Sequence, residues 1–163
     1  MKIAVIFDSK IKSGGGFYQS LRSSILLNKL EKYSNNFYYV TPDKETFQRL
    51  KKENLKPILF NNFIFLKIFY QINKIYIFNA IINYFKIKNP FITFLKKKKF
   101  DLVVFLGPSW FIKVTDEFNF ITNTYDINFK LDNYFPEYKS PSIFKSKNEI
   151  VSKSVDHAYK ILV

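Results

Sequence analysis

Three consecutive glycines, Gly14, Gly15 and Gly16, stand between a short apolar run and the start of a helical pattern in "VIFDSKIKSGGGFYQSL", Val5 to Leu21. Glycine loses more backbone freedom on ordering than any other residue, so three in a row at a helix start point to close backbone approach or to positive φ. Amides at such a helix start can face an anion or a sugar hydroxyl. A Walker-type phosphate loop is excluded, because "SGGGFYQS" has no Gly-Lys-Ser/Thr ending and no lysine placed to reach a β- or γ-phosphate. The dinucleotide fingerprint is excluded as well: the G-x-G-x-x-G spacing is absent, and no acidic residue closes the second strand to hold a ribose. The residues alone leave two readings open, an anion-facing loop and a plain strand-to-helix connection.

Few other side chains invite chemistry. Asp8 ends the first strand, at the sheet edge where α/β proteins bind ligands, although aspartate is also a common turn residue there. His157 is the only histidine and falls in a terminal helix, where a surface or packing role is the expectation. No cysteine is present, which removes disulfides, thiolate metal sites and cysteine nucleophiles together and fits a reducing cytoplasm. No Ser/His/Asp triad and no metal cluster can be assembled from the sequence.

The net charge of +13 favours polyanions such as nucleic acid, anionic headgroups or nucleotide phosphates. Nearly all of it is lysine, arginine occurring only at Arg22 and Arg49, and lysine is abundant together with Asn, Ile, Phe and Tyr. Those residues have AT-rich codons, so genome composition is a second source for the charge. The apolar run after Lys2 ends at Asp8, too short for a secretory signal. The segment from Asn62 to Ile87 is the best membrane-span candidate, but Lys67, Gln71, Asn73, Lys74, Asn79 and Asn83 interrupt it, and it reads as a buried or interfacial helix. Trp110, Phe111 and Lys113, with the aromatic, lysine-containing helix from Phe63, form a candidate membrane-facing surface; the alternative is that these aromatics are core.

These residues must be positioned by alternating short apolar runs and longer helical stretches, the signature of βαβ units and a mostly parallel sheet of about six strands. Strands are expected at Lys2 to Phe7, Asn36 to Thr41, Pro57 to Asn61, Phe100 to Gly107, Phe118 to Asp126 and Tyr159 to Val163, the fourth being central and buried on both faces. Helix one spans about Gly16 to Lys32, with Phe17, Leu21, Ile25, Leu26, Leu27 and Leu30 as its apolar face. Helix two follows Thr41 as N-cap and Pro42 at the first helical position. Phe63 to about Phe85 is one long helix or two, and Pro90 opens a short helix whose lysines, Lys96 to Lys99, suit its C-terminal end. Ile127 to Phe144 reads as loop, and "SKNE" as a capping box with Ser146 at the N-cap, followed by Val151, Val155 and Ala158 at helical spacing. A parallel strand is normally followed by a crossover, so a chain stopping inside its sixth strand is expected to belong to something larger.

The order strand, loop with Gly-Gly-Gly, helix and "YYVTPD" resembles the N-terminal half of GT-B fold glycosyltransferases, particularly the family 4 group. "KKFDLVVFLGPSW", Lys98 to Trp110, is similar to that group's fourth-strand segment. "TNTYDINFKLDNYFPEY", Thr122 to Tyr138, is similar to its fifth: Asp126, Pro136 and Glu137 match, while Tyr125 stands where the family has histidine. The resemblance implies a Rossmann-like three-layer α/β/α domain over residues 1–163, one half of a GT-B fold, which lines the acceptor side of a cleft. The donor-binding C-terminal domain, with its two glutamates seven residues apart, lies outside this chain, so the chain alone is expected to be inactive. The implied activity is sugar transfer from a nucleotide-sugar donor to a glycan or lipid-linked acceptor with retention of configuration. It belongs to cell-surface polysaccharide assembly, at the inner face of the cell membrane and in contact with anionic lipid. No metal or other cofactor is required, and no nucleic acid partner is implied. Gly14, Gly15 and Gly16 then lie near the donor diphosphate and Asp126 orients an acceptor hydroxyl. A reading of a different class is a stand-alone basic α/β module that binds nucleic acid or anionic membrane without catalysis.

Overall fold

The computed structural model describes residues 1–30, 36–115, 117–123 and 141–162. Six parallel strands form one sheet: β1 (Lys2–Ile6), β2 (Asn36–Thr41), β3 (Pro57–Leu59), β4 (Leu102–Phe105), β5 (Phe120–Asn123) and β6 (Lys160–Leu162), in the order β3-β2-β1-β4-β5-β6. The helices are α1 (Gly15–Lys29), α2 (Lys44–Lys52), α3 (Phe63–Asn73), α4 (Tyr76–Tyr84), α5 (Pro90–Lys97) and α6 (Pro141–His157), with 3-10 turns at Ile11–Ser13 and Trp110–Val114. This is a Rossmann-like α/β fold, with helices packed on both faces of the sheet. The chain steps outward from β1 to β3 over α1 and α2, then returns past β1 to β4, so the strand order reverses between β1 and β4.

β1 shows why the layers form. Its residues alternate between faces: Ile3, Val5 and Phe7 pack with Phe17, Leu21, Tyr39 and Leu50 on the α1/α2 side, while Ala4 and Ile6 meet Phe91, Leu95, Val103 and Phe111 on the other. The second core is aromatic. Phe91 and Phe111 have ring centroids 4.7 Å apart, and Phe60 meets both edge-on at 5.4 and 5.9 Å.

Several local expectations shift. The N-cap of α2 is Asp43, whose carboxylate accepts from the Thr46 amide at 2.8 Å, not Thr41. Thr41 is buried and paired with Leu59 in the sheet, so it is not available to start a helix. Phe63 to Phe85 is two helices, because the chain turns at Lys74 and Ile75. β4 is fully covered on one face only: Val103 and Phe105 are buried, whereas Leu102 and Val104 are half-exposed on the α1 side. No described helix crosses that face beyond α1, leaving an apolar cavity of about 270 Å³ between Leu26, Leu27, Leu30, Val104 and Ile121. Within α1, Leu26 and Leu30 accordingly stay exposed, and Phe17, Leu21 and Ser24 are the buried positions.

α6 begins at Pro141, so Pro141 to Phe144 are helical and not loop. Proline there occupies the first turn, where its missing N–H costs no hydrogen bond. Ser146 and Glu149 therefore lie inside the helix and form no capping box; both are taken by Lys113. Ser154 is the buried position of α6 and Val155 is exposed.

Candidate functional site

The carboxyl ends of β1 and β4 bracket the point where strand order reverses, the place where open α/β sheets bind ligands. Asp8 follows β1 and Ser109 follows β4, and the Ser109 hydroxyl donates to Asp8 Oδ2 at 2.6 Å. Ser109 is itself buried, and its Oγ accepts from the Phe111 amide at 3.2 Å, which fixes the hydroxyl across the crevice. Burial pushes the Asp8 carboxyl above the ordinary range; hydrogen bonds from Ser109, from its own amide and from the Trp110 amide offset this only in part. No lysine or arginine among the described residues pairs with Asp8. A carboxylate so held can accept a hydrogen bond from a ligand hydroxyl. The sequence marks Asp8 through its place at a strand end. Ser109 carries no such mark beyond its position in the "GPSW" turn.

The glycine loop leads into α1 beside this crevice, its helix seated by Phe17 against Phe7 with ring centroids 5.5 Å apart. Gly14 has φ +61° and ψ −123°, a conformation that glycine alone adopts readily, so its identity follows from the backbone. Gly15 and Gly16 differ in having no positive φ, and a Cβ built on either meets no atom within 4 Å. The fold's own packing does not require glycine at those two positions. The Phe17 and Tyr18 amides turn back onto the Gly14 carbonyl at 3.1 and 3.3 Å. Those of Gly15 and Gly16 precede these bonds and have no acceptor within α1, and no side chain caps the helix.

Glycine usage elsewhere sharpens the point. The chain has only four glycines, three of them in this loop. The left-handed positions that follow α2, α4 and α5 are filled by Asn54, Lys86 and Lys99 at φ 56°, 50° and 54°. Helix C-termini, where glycine is the usual solution, thus do without it, while Gly15 and Gly16 occur where the backbone does not demand them.

Beside the loop, an open pocket of about 500 Å³ is lined by Lys10, Lys12, Pro42, Asp43, Lys44 and Glu45. It lies between the loop after β1 and the start of α2, which Thr46 Oγ1 joins by donating to the Ser9 carbonyl at 3.4 Å. Burial raises the Asp43 pKa, but hydrogen bonds from the Thr46 hydroxyl and amide and the charge of Lys10 outweigh it and leave the group below its ordinary value. Lys10, Lys12 and Lys44 give this side of the carboxyl edge its positive charge. The sequence reading did not single them out, because they become neighbours only when β1 and β2 pair.

A second ionic cluster joins α3, the 3-10 turn and α6. Lys113, 5% exposed, reaches Glu149 Oε2 at 3.1 Å and Ser146 Oγ at 2.9 Å; Tyr70 donates to Glu149 Oε1, and Lys74 lies 3.6 Å from Oε2. Burial raises the Glu149 pKa, yet the hydrogen bonds from Tyr70 and Lys113 and the charges of Lys113 and Lys74 hold it below the ordinary range. Here the carboxylate is fully countered by two lysines, and the cluster anchors α6.

The remaining expectations divide. Phe111 and Lys113 are buried and Trp110 packs edge-on against Phe63 and Tyr70, so this trio is core and does not form a membrane-facing surface. His157 is exposed in the last turn of α6. Lys96 to Lys99 are exposed at and beyond the end of α5, with Lys96 paired to Glu117 at 2.9 Å. Asp126, with Tyr125, Pro136 and Glu137, lies outside the described residues. Among the described residues, no three His, Cys, Asp or Glu side chains gather as a metal site, and no helix is long and apolar enough to cross a membrane. No protein-family model matches the chain, and a search of curated proteins finds no match.

Proposed function

We propose that this domain is the acceptor-side half of a glycosyltransferase of GT-B type, which uses a nucleotide-sugar donor, and that the crevice between β1 and β4 is its share of the active cleft. The observation that carries this reading is the pair Gly15 and Gly16, bare at the start of α1 where neither backbone nor packing asks for glycine. A diphosphate brought close to that helix start meets outward amides and the positive end of the helix dipole. Lys10 and Lys12 lie on the adjoining pocket wall and add charge. Developing negative charge on a leaving diphosphate is what such fixed donors stabilise. Asp8, held by Ser109 and raised in pKa, is placed to orient an acceptor hydroxyl, a role for which Asp126 is the other candidate. The donor's base and sugar are assigned to a second domain beyond this chain, with transfer at the cytoplasmic face of the membrane, retention of configuration and no required metal.

The test is transfer of labelled sugar from a panel of nucleotide sugars to membrane-extracted acceptors, using the gene's longest reading frame that contains this chain. Gly15→Trp or Gly16→Trp is expected to abolish transfer with the melting temperature retained. Transfer unaffected by either substitution, or the lack of any nucleotide-sugar turnover, overturns the reading.

A second reading, a basic binding module without catalysis, draws on residues 54–100, which contain nine lysines and no aspartate or glutamate. It predicts salt-sensitive binding to polyanions that is indifferent to nucleotide sugar.

A further inference from the structure

α3 and α4 invert the usual arrangement of a surface helix. In α3 only Leu66 is buried, and in α4 nothing is. The solvent side instead carries Ile64 at 76% exposure, Phe65, Ile68, Tyr76 at 88%, Ile77 at 67%, Phe78, Ile81, Tyr84 and Phe85. An isolated exposed leucine needs no explanation, but large apolar side chains exposed along two successive helices are unusual on a soluble monomer and mark a contact with something apolar.

The charge around this surface tells which kind. Lys67, Lys74, Lys86 and Lys88 are exposed on or beside the hairpin, and the whole stretch from 54 to 100 has no acidic residue. Lys67 Nζ lies 4.5 Å from the Phe63 ring centroid and Lys74 Nζ 4.3 Å from that of Tyr70, rings that pack on Trp110 along the core-facing side of α3, which leaves Lys86 and Lys88 as the cations beyond the end of α4. Exposed apolar and aromatic side chains flanked by lysines, in a stretch that has no carboxylate of its own and meets one only where Glu149 of α6 reaches Lys74 and Tyr70, match the layered chemistry of an anionic bilayer, whose acyl boundary lies beneath negatively charged headgroups. Neither helix can span: α3 has 11 residues and α4 has nine, against about 20 for a crossing. A short hairpin lying in the interface is the geometry that remains.

We infer that the α3–α4 hairpin is a membrane-docking element that inserts its apolar side into the headgroup region of an anionic lipid bilayer. α3 leaves the carboxyl edge directly after β3, and Phe63 at its start packs on Phe111 and Trp110, which follow β4. Docking through this hairpin therefore holds the β1/β4 crevice near the lipid surface. The inference rests on the hairpin's own chemistry and survives if the domain transfers no sugar.

Flotation of the 163-residue chain tests it, with vesicles of phosphatidylcholine alone or with about 30 mol % phosphatidylglycerol. The chain is expected to float with the anionic vesicles in low salt, and the bound fraction to drop several-fold in about 0.5 M salt. Ile64→Ser with Ile77→Ser should lower the bound fraction about tenfold with the melting temperature unchanged, because both side chains are already exposed. Lys86→Glu with Lys88→Glu should act in the same direction through charge and leave the apolar residues in place. Absence of flotation in low salt overturns the inference. So does a concentration-dependent dimer, seen by light scattering, that Ile64→Ser with Ile77→Ser dissociates, because the surface then belongs to a second copy of the chain.

Discussion

Two carboxylates in this molecule meet opposite fates. Glu149 is surrounded by Tyr70, Lys113, Lys74 and, through Lys113, Ser146, and its pKa is held down. Asp8 is offered one hydroxyl and backbone amides, no described cation faces it, and its pKa rises. Burial opposes ionisation in both and weighs more heavily on Asp8, while the neighbouring elements supply cations only to Glu149. At the α3/α6 junction the fold compensates the charge with its own side chains. At the carboxyl edge compensation is incomplete, beside a helix start left bare by two glycines. A buried carboxylate left without a countercharge beside a bare helix start is where a ligand is expected.

The contrast breaks most visibly at Glu149. Glu149→Ala leaves Lys113 buried without its countercharge and is expected to cost about 2 to 3 kcal/mol in urea unfolding, below the roughly 3 to 5 kcal/mol of a fully buried pair because Glu149 is itself partly exposed. Adding Lys113→Met should recover much of that loss, since an apolar chain needs no partner. The Glu149 pKa is lowered from 4.5, so the stability it contributes is complete above that value and disappears as pH falls through its folded pKa.

Next in size is Gly14→Ala, which forces a side chain into a conformation reserved for glycine and should cost about 2 kcal/mol. Gly15→Ala and Gly16→Ala should do the reverse. Each has room for a methyl group and is expected to stabilise by about 0.5 kcal/mol, while weakening any ligand that approaches the bare backbone. Thermal melts together with nucleotide-sugar titrations of the same variants separate the two effects; a loss of stability at Gly15 or Gly16 would mean that the fold needs those glycines after all.

Asp8→Asn is the smallest and most diagnostic change. With the folded pKa above 3.8, the native state binds the proton more tightly than the unfolded chain, so stability falls as pH rises through that window. The amide removes this dependence and can still accept the Ser109 hydroxyl, so the variant should be slightly more stable at neutral pH. A melting curve series from pH 4 to 7 that keeps its slope in the variant would assign the titration to another group.

The parallel sheet of about six strands and its layers were largely legible because the chain alternates period-two and helical patterns without ambiguity at β1, β2 and β4, whereas the order of the strands emerged only in the assembled sheet. α5 shows the same legibility in detail: Pro90 occupies its first turn, and Asn89 caps it by accepting from the Phe91 amide at 2.9 Å. Legibility failed where two signals competed for one role. Thr41 and Asp43 are both good caps, and pairing with β3 decided between them. "SKNE" matches a capping box, but the helix starts earlier and Lys113 claims both of its polar residues. The site was half legible. Asp8 and the glycines stand in one continuous stretch, whereas Ser109 comes from the turn after β4, 101 positions away in the chain.

Composition and periodicity alone determined the class of fold, the glycine loop at a helix start and the scarcity of catalytic side chains, because each is a property of residues close in the chain. Burial was decided only by assembly. The sheet order set Ser109 against Asp8, drew Phe111 and Lys113 into the core, and left α3 and α4 with their apolar side chains outward. An aromatic helix reads the same in sequence whether it faces a core or a bilayer, since hydrophobic periodicity records that a side chain avoids water and not what covers it.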